Sequence, residues 1–245
     1  SLLKSNDYNL VYKKAIEYYN KGDYQRAMNL LDGVRSVFVG QAKAQNIAYY
    51  RAFCSYNMKD YQIASDLFKQ FIQTYPESSF AEECLYMMGF CDYKASPKPR
   101  LDQQVTEKAI REFQLYLSRY PYSMRKDKVN TYMDEMRDKL SYKAYLSAKN
   151  YYLREHYKAA VISLQNCLKD YPGSKYREEI MYMLFVSKYQ MAVNSVEDKK
   201  VERYNNAREE YYYFADEYPN SRYAADVKKM YEDIEAYLEN YKFED

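Results

Sequence analysis

Tryptophan is absent from these 245 residues, histidine occurs once, glycine five times and proline six times. Strand-rich folds of this length spend glycine and proline on many turns, so their scarcity points to long helices joined by short connections. A dominant charge is also missing. With 37 Lys+Arg against 35 Asp+Glu the net charge is only +2, which leaves no strong field to recruit nucleic acid or an anionic surface. No run approaches the length of apolar sequence that crosses a bilayer, and Ser1-Leu2-Leu3-Lys4 does not read as a signal peptide. The four cysteines, Cys54, Cys84, Cys91 and Cys167, form neither CxxC pairs nor Cys/His clusters. They read as small buried hydrophobes rather than as a disulfide or metal site.

What the chain has in excess is tyrosine: 34 Tyr and 10 Phe make it 18% aromatic although 29% of its residues are charged. Rings with a polar tip suit both helix packing and peptide-binding surfaces. They fall in a recurring phrase. An aromatic is followed by an alanine, two bulky residues and a proline: Tyr61, Ala64, Phe68, Phe71, Pro76; Tyr157, Ala160, Leu164, Cys167, Pro172; and Tyr204, Ala207, Tyr211, Phe214, Pro219. Thr106, Ala109, Phe113, Tyr116, Pro121 is a variant, and Tyr24, Ala27, Leu31, Val34 lacks the proline. Four copies end in one tetrad, Tyr75-Pro76-Glu77-Ser78, Tyr120-Pro121-Tyr122-Ser123, Tyr171-Pro172-Gly173-Ser174 and Tyr218-Pro219-Asn220-Ser221.

Alanine with bulky residues four and seven further on makes one apolar helical stripe, its small member placed where another helix must come close. Proline stops that helix, and the serine after it can cap the next. Each phrase is therefore the second helix of a hairpin. The first helices lie upstream, with small residues Ala15, Ala52, Gly89 and Ala148 followed by aromatics. The pattern resembles the tetratricopeptide signature. The expected fold is all-α: a tetratricopeptide-repeat (α-α superhelix) solenoid of about five helical hairpins plus a C-terminal capping helix over Arg222–Tyr241.

Successive phrase alanines are 37, 45, 51 and 47 residues apart, longer than the usual repeat of about 34. Two excesses read as inserted loops, 96–105 in repeat three and 194–200 in repeat five. A third, between Ser123 and Leu146, reads as extra helix because Val129, Tyr132, Met133, Met136 and Leu140 keep helical spacing.

In tetratricopeptide proteins the first helix of each hairpin lines the inner surface. Aligned on the small residues, its exposed positions are Tyr12, Ile16, Tyr19; Tyr49, Phe53, Tyr56; and Tyr86, Phe90, Tyr93, changing to Tyr145, Lys149, Tyr152 in repeat four. Tyr12, Tyr19, Tyr49, Phe53, Tyr56, Tyr86, Phe90 and Tyr93 are the candidate peptide-binding groove, the outer tyrosines facing water and the middle residues packing successive helices. No catalytic residue, cofactor or metal site is expected. The single histidine, His156, sits at a turn where repeats one and two carry Asp23 and Asp60, and no phosphate loop or metal motif occurs. The acidic pairs Glu82-Glu83, Glu178-Glu179 and Glu209-Glu210 read as solvated faces.

Gly22-Asp23-Tyr24 with Ala27, Lys59-Asp60-Tyr61 with Ala64, Phe68 and Phe71, the Tyr-Pro-x-Ser stops, and the insertion Arg100-Leu101-Asp102-Gln103 leading into Thr106, Ala109 and Phe113 resemble the BamD family, over about Tyr8 to Tyr237. These are tetratricopeptide lipoproteins of the outer-membrane β-barrel assembly machinery. The resemblance marks Arg100, Asp102, Gln103 and Thr106 as the family motif of the inserted loop. It implies a non-enzymatic scaffold with two halves of one continuous solenoid. Residues 1–122 (repeats one to three) would bind nascent outer-membrane proteins, and 123–245 (repeats four and five with the cap) would dock on the barrel-forming assembly subunit. It further implies a periplasmic position held to the outer membrane only through a lipid on a cysteine upstream of Ser1. The alternatives are a Tol-associated cell-division coordinator, which would carry a coiled coil before the repeats, and a co-chaperone clamping a carboxylate-ended peptide, which needs Lys or Arg where this chain has Tyr and Phe.

Overall fold

The computed structural model describes residues 7–241, so the reading of Ser1–Lys4 lies outside the described residues. Among them are eleven helices and no strand: α1 Tyr8–Asn20, α2 Tyr24–Val34, α3 Ala42–Asn57, α4 Tyr61–Thr74, α5 Ala81–Ala95, α6 Gln104–Arg119, α7 Lys126–Leu153, α8 Tyr157–Asp170, α9 Arg177–Val193, α10 Glu197–Glu217 and α11 Ala224–Tyr241. They form two compact units, residues 1–137 and 138–245. The first holds the hairpins α1/α2, α3/α4 and α5/α6 with the opening turns of α7. The second holds the remainder of α7 with α8, the hairpin α9/α10 and the closing helix α11.

The repeat phrase is the buried stripe of every second helix. Ala27, Ala64, Ala109, Ala160 and Ala207 are all wholly buried. Around them sit Phe68, Phe113 and Phe214, each contributing about 1.5–3 kcal/mol through removal of its ring from water. On the facing helices Ala15, Ala52 and Ala148 are equally buried. Gly89 shows why that position is small: a Cβ there would stand 2.9 Å from Cδ1 of Phe113. Repeat five has Phe185 at this register, buried and packed 6.2 Å from Tyr211.

Two backbone devices set the joints. Within the hairpins, α1, α3 and α7 end in the same left-handed turn. The N–H of Asp23 reaches Tyr18 O at 2.9 Å and that of Gly22 reaches Tyr19 O at 3.0 Å, and Asp60/Lys59 and His156/Glu155 repeat both bonds. This is the Schellman closure, whose penultimate residue takes positive φ. Gly22 does so at 78°, but Lys59 (66°) and Glu155 (60°) carry side chains there.

Between hairpins the Tyr-Pro-x-Ser tetrad is a β-turn. The serine N–H donates to the tyrosine carbonyl at 3.0–3.1 Å in all four copies, with proline in the second position where its fixed φ is preorganised. The serine hydroxyl then accepts the N–H two residues on, Phe80, Arg125, Tyr176 or Tyr223, at 3.0–3.2 Å. The serines thus cap a tight turn just ahead of the helix rather than the helix itself.

Of the length excesses, α7 is continuous helix over 28 residues, as its apolar spacing indicates. The segment 194–200 departs from the loop expectation. Only Asn194, Ser195 and Val196 are non-helical, and α10 is lengthened to 21 residues, beginning at Glu197. Glu197 and Asp198 fall in its first turn, where acidic side chains satisfy the helix dipole. The loop after α5 runs from Ser96 to Gln103. All four cysteines are free and buried, and burial pushes the thiols of Cys54 and Cys84 up to about 12 and that of Cys167 to about 11.

Candidate functional site

In the first unit the aromatic residues of α1, α3 and α5 meet as one chain of rings. Tyr19 lies edge-on to Tyr50 at 4.9 Å, Tyr50 meets Tyr49 at 5.5 Å, and Tyr49 meets Phe53 at 4.6 Å. Phe53 contacts Tyr56 at 6.4 Å, and Tyr56 reaches across to Phe90 at 6.2 Å. Phe90 is stacked between Tyr86 (5.6 Å) and Tyr93 (5.9 Å). Tyr12 stands apart, beside Phe38 at 6.2 Å and under the Lys43 ammonium.

The path does not stop at α5. Tyr132, on the extra turns of α7, stacks on Tyr93 at 4.4 Å and also touches Phe90. The trio pattern passed over both Tyr132 and Tyr50. The helical spacing that includes Tyr132 marks extra helix there, and only the fold shows which rings Tyr132 joins.

Most of these rings are half-buried, and Tyr86 is buried, at 7% exposure, with the Arg125 guanidinium 4.7 Å above its ring. Phe53 packs on Phe68 at 5.0 Å, joining the two helices of its own hairpin, whereas Phe90 meets Tyr56 of α3 and Tyr132 of α7. The outer tyrosines also have assigned hydroxyls: Tyr49 donates to Glu83 Oε2 at 3.0 Å, and Tyr93 donates to Glu135. Burial is the first cause in lifting these phenols, Tyr19 and Tyr93 to about 12 and Tyr49 higher, with Glu83 and Glu135 adding to the last two. They remain neutral donors throughout the physiological range.

Of the acidic pairs, only Glu209 is an exposed residue; the other five carboxylates are partly or fully buried and have partners. Glu82 accepts from Tyr116 at 2.9 Å and from Ser123 at 2.7 Å, and Glu83 takes Tyr49 and, at 3.4 Å, Arg125. In the second unit Glu178 accepts from Ser221 at 2.6 Å, Glu179 from Tyr145 at 2.9 Å and Lys149 at 2.8 Å, and Glu210 is buried against Lys188. In the first turns of α5 and α9, Glu82 and Glu178 reach forward to the serine of the turn that ends their own hairpin, while Glu83 and Glu179 reach back to a tyrosine of the repeat before. The same bond ties Tyr182 to Asp226 at 2.6 Å and Tyr189 to Asp233 at 3.1 Å. In repeat four an ion pair sits beside the rings, where Tyr145 stacks on Tyr176 at 4.4 Å. Lys149 is held between Tyr145 and Glu179, both contacts below 3 Å.

The inserted loop is braced from within. Gln103 is buried, and its Nε2 donates to Lys98 O at 2.8 Å and Leu101 O at 3.1 Å while its Oε1 accepts from Thr106 Oγ1 at 2.7 Å. Asp102 Oδ1 accepts the N–H of Gln104 at 2.9 Å, and both Asp102 and Arg100 are exposed. His156 is an exposed turn residue preceding α8.

One polar cluster was not legible in the sequence. Asp92 and Ser65, both buried, are joined at 3.0 Å, and Lys108 Nζ lies 2.8 Å from Asp92 and 3.7 Å from Glu112. Burial first, then the hydrogen bond with Asp92, pushes the Glu112 carboxyl up to about 8. One lysine cannot neutralise two buried carboxylates, so Glu112 keeps its proton.

Among solved structures, similarity is found to the yeast Sti1 TPR2AB domain in its pHSP90 complex, at 13% identity over 93% of this chain and 98% of that one, TM-score 0.41. It is also found to a TPR repeats protein of Bacteroides fragilis, at 12% identity over 95% and 99%, TM-score 0.44. Among curated proteins none matches. The YfiO family profile, described as outer membrane lipoprotein, matches residues 4–179 and 143–244. The chain belongs to this family, the BamD family of outer-membrane lipoproteins with tetratricopeptide repeats.

Proposed function

We propose that the chain is a non-enzymatic scaffold of outer-membrane β-barrel assembly. Its half 1–122 receives unfolded outer-membrane proteins along the aromatic column, and its half 123–245 docks on the barrel-forming subunit. The observation that carries this reading is the unbroken ring path from Tyr19 through Tyr56 to Tyr93 and Tyr132. Half-buried rings with fixed hydroxyls form a stiff apolar track that costs a guest little ordering on the protein side. It suits extended segments bearing aliphatic and aromatic side chains. Family membership supplies the cellular setting, and the reading places the chain on the periplasmic face, anchored through an acylated cysteine upstream of Ser1.

A carboxylate clamp is disfavoured by the chemistry at the same positions, since Lys149 is already paired with Glu179. The arms of the inserted loop that point to water, Arg100 and Asp102, are assigned to contact with the guest or with a subunit. The test is binding of a peptide from a barrel protein to Tyr19→Ala and Tyr56→Ala. Each is expected to weaken affinity about tenfold while the helical circular-dichroism signal is kept. Unchanged affinity in both sinks the reading.

A further inference from the structure

A cavity of about 660 Å³ opens within the second unit, between the start of α8 and the joint that links α9 to α10. Tyr151, Tyr157, Ile162 and Met191 give it an apolar lining, and two of them, Tyr151 and Ile162, are 40% and 56% exposed. Its charged members are Glu155, Lys158 and Arg203.

Arg203 is the anomaly. Its Nη1 donates to Ser195 Oγ at 2.6 Å and to Met191 O at 3.3 Å, two neutral acceptors, and it forms no ion pair among the described residues. The other half-buried arginines all have a carboxylate: Arg51 has Asp32, Arg125 has Glu83, Arg177 has Glu217 and Arg208 has Glu235. A guanidinium drawn partly out of water calls for an anion. The bonds on Nη1 fix its plane and leave the Nε–Nη2 edge without a partner among the described residues, and neither nitrogen is closed off from solvent. Arg177 offers that same edge to Glu217, Nε to Oε1 at 2.5 Å and Nη2 to Oε2 at 3.0 Å. At the cavity, therefore, stands one half of a two-pronged carboxylate bond.

The rest of the lining sets what supplies the other half. Lys158 also forms no ion pair among the described residues, so two separate cations face one acid, Glu155. A chain terminus brings one carboxylate, whereas a segment with acids on both sides of an apolar residue brings two and seats that residue on the apolar wall. Asn194 Nδ2 donates to Gln190 O at 2.9 Å, which leaves the Asn194 Oδ1 and the Gln190 side-chain amide for the N–H and C=O groups of a passing backbone.

We propose that this cavity is a docking site for an acidic, extended segment of another protein: one carboxylate pairs with the Nε–Nη2 edge of Arg203, a second pairs with Lys158, and an aliphatic side chain between them packs on Ile162 and Met191. The site goes beyond the docking assigned to the second half, since it asks for a segment of this chemistry and not for the barrel-forming subunit.

The experiment titrates the full chain with a capped peptide in which two glutamates flank a leucine. Its controls replace the glutamates by glutamines, replace the leucine by serine, or leave a terminal carboxylate as the only acid. The glutamate peptide is expected to saturate the chain below about 1 mM. The serine version should bind about tenfold more weakly, and the other two should not saturate in that range. Arg203→Lys keeps the charge without the edge and should weaken the glutamate peptide about 3- to 10-fold, and Arg203→Gln should do so about tenfold or more. Because Arg203 also braces Ser195 and Met191, Ile162→Glu supplies a second variant at an exposed position where folding is not at risk, with a loss of about tenfold or more expected. Arg111→Gln, the same change of charge in the first unit, should leave the affinity unaffected. Absence of saturable binding, equal affinity for the glutamate and glutamine peptides, or insensitivity to Ile162→Glu would overturn the site. Equal losses in Arg203→Gln and Arg111→Gln would reduce the attraction to net charge and overturn it too. Equal binding of the terminal carboxylate would make the occupant a chain end, and self-association abolished by Arg203→Gln would make it a second copy of this chain; either result overturns the assignment.

Discussion

At Lys59 and Glu155 the chain places ordinary side chains at φ of 66° and 60°, the left-handed region that costs an L-residue roughly 1–2 kcal/mol. Both residues are exposed, and Gly22, at the equivalent joint, does the same work without that cost. Lys59→Gly and Glu155→Gly are therefore expected to raise stability by about 0.5–1 kcal/mol each, and Gly22→Ala to lower it by a similar amount. Urea unfolding midpoints would check all three.

Glu112 makes stability depend on pH in a defined direction. Its carboxyl titrates near the ordinary 4.5 when unfolded and near 8 when folded. Between those values the folded chain holds the proton more tightly, so the contribution is intact below about 4.5 and is lost as pH rises towards 8. The melting temperature of the wild type should fall relative to that of Glu112→Gln between pH 5 and pH 8. A constant difference across that range would refute the assignment of the proton.

At the scale of elements, the joints follow from a few local residues. Serine in the Tyr-Pro-x-Ser turn has one structural bond at Ser78, but at Ser123 it has the same bond plus a 2.7 Å bond to Glu82 and contact with the Tyr116 hydroxyl. Ser123→Ala should cost about 1–2 kcal/mol and Ser78→Ala less than half of that, in equilibrium unfolding followed by circular dichroism. Gly89→Ala gains helix propensity yet drives a methyl into a buried ring at 2.9 Å, and a net loss of about 1–3 kcal/mol is expected.

These joints, the buried alanines and the length of α7 were legible because each depends on residues within a turn or two of one another. The ends of α10 were not, since a short polar stretch with Val196 reads equally as loop or as the start of a helix. Nor was the use of the acidic pairs. Whether Glu83 meets water or Tyr49 depends on where two helices 34 residues apart come to rest, and the local pattern contains no trace of it. Tyr132 was hidden for the same reason, being a regular position on an irregularly long helix.

At the scale of the molecule, each unit carries its own aromatic chemistry. The first has the ring path. The second stacks its tyrosines in pairs, Tyr145 on Tyr176, Tyr182 on Tyr223 and Tyr211 on Tyr231, beside tyrosine–carboxylate and lysine–carboxylate bonds, and leaves Tyr212 and Tyr213 of α10 exposed, at 52% and 65%. Exposed tyrosines are favoured anchors in protein interfaces. If the halves divide their labour as proposed, Tyr212→Ser with Tyr213→Ser lowers capture of the barrel-forming subunit about tenfold and leaves guest-peptide affinity unchanged, while Tyr19→Ala and Tyr56→Ala do the reverse. Pull-down of the subunit and peptide titration on the same three variants would separate the two activities, and equal losses in both assays would deny the division.

The linked rings of the first unit also form an optical antenna. With 34 tyrosines and no tryptophan, the chain emits only in the tyrosine band, which overlaps the absorption of indole. A guest bearing a single tryptophan would collect excitation from the ring path, and its sensitised glow would report occupancy with no dye attached.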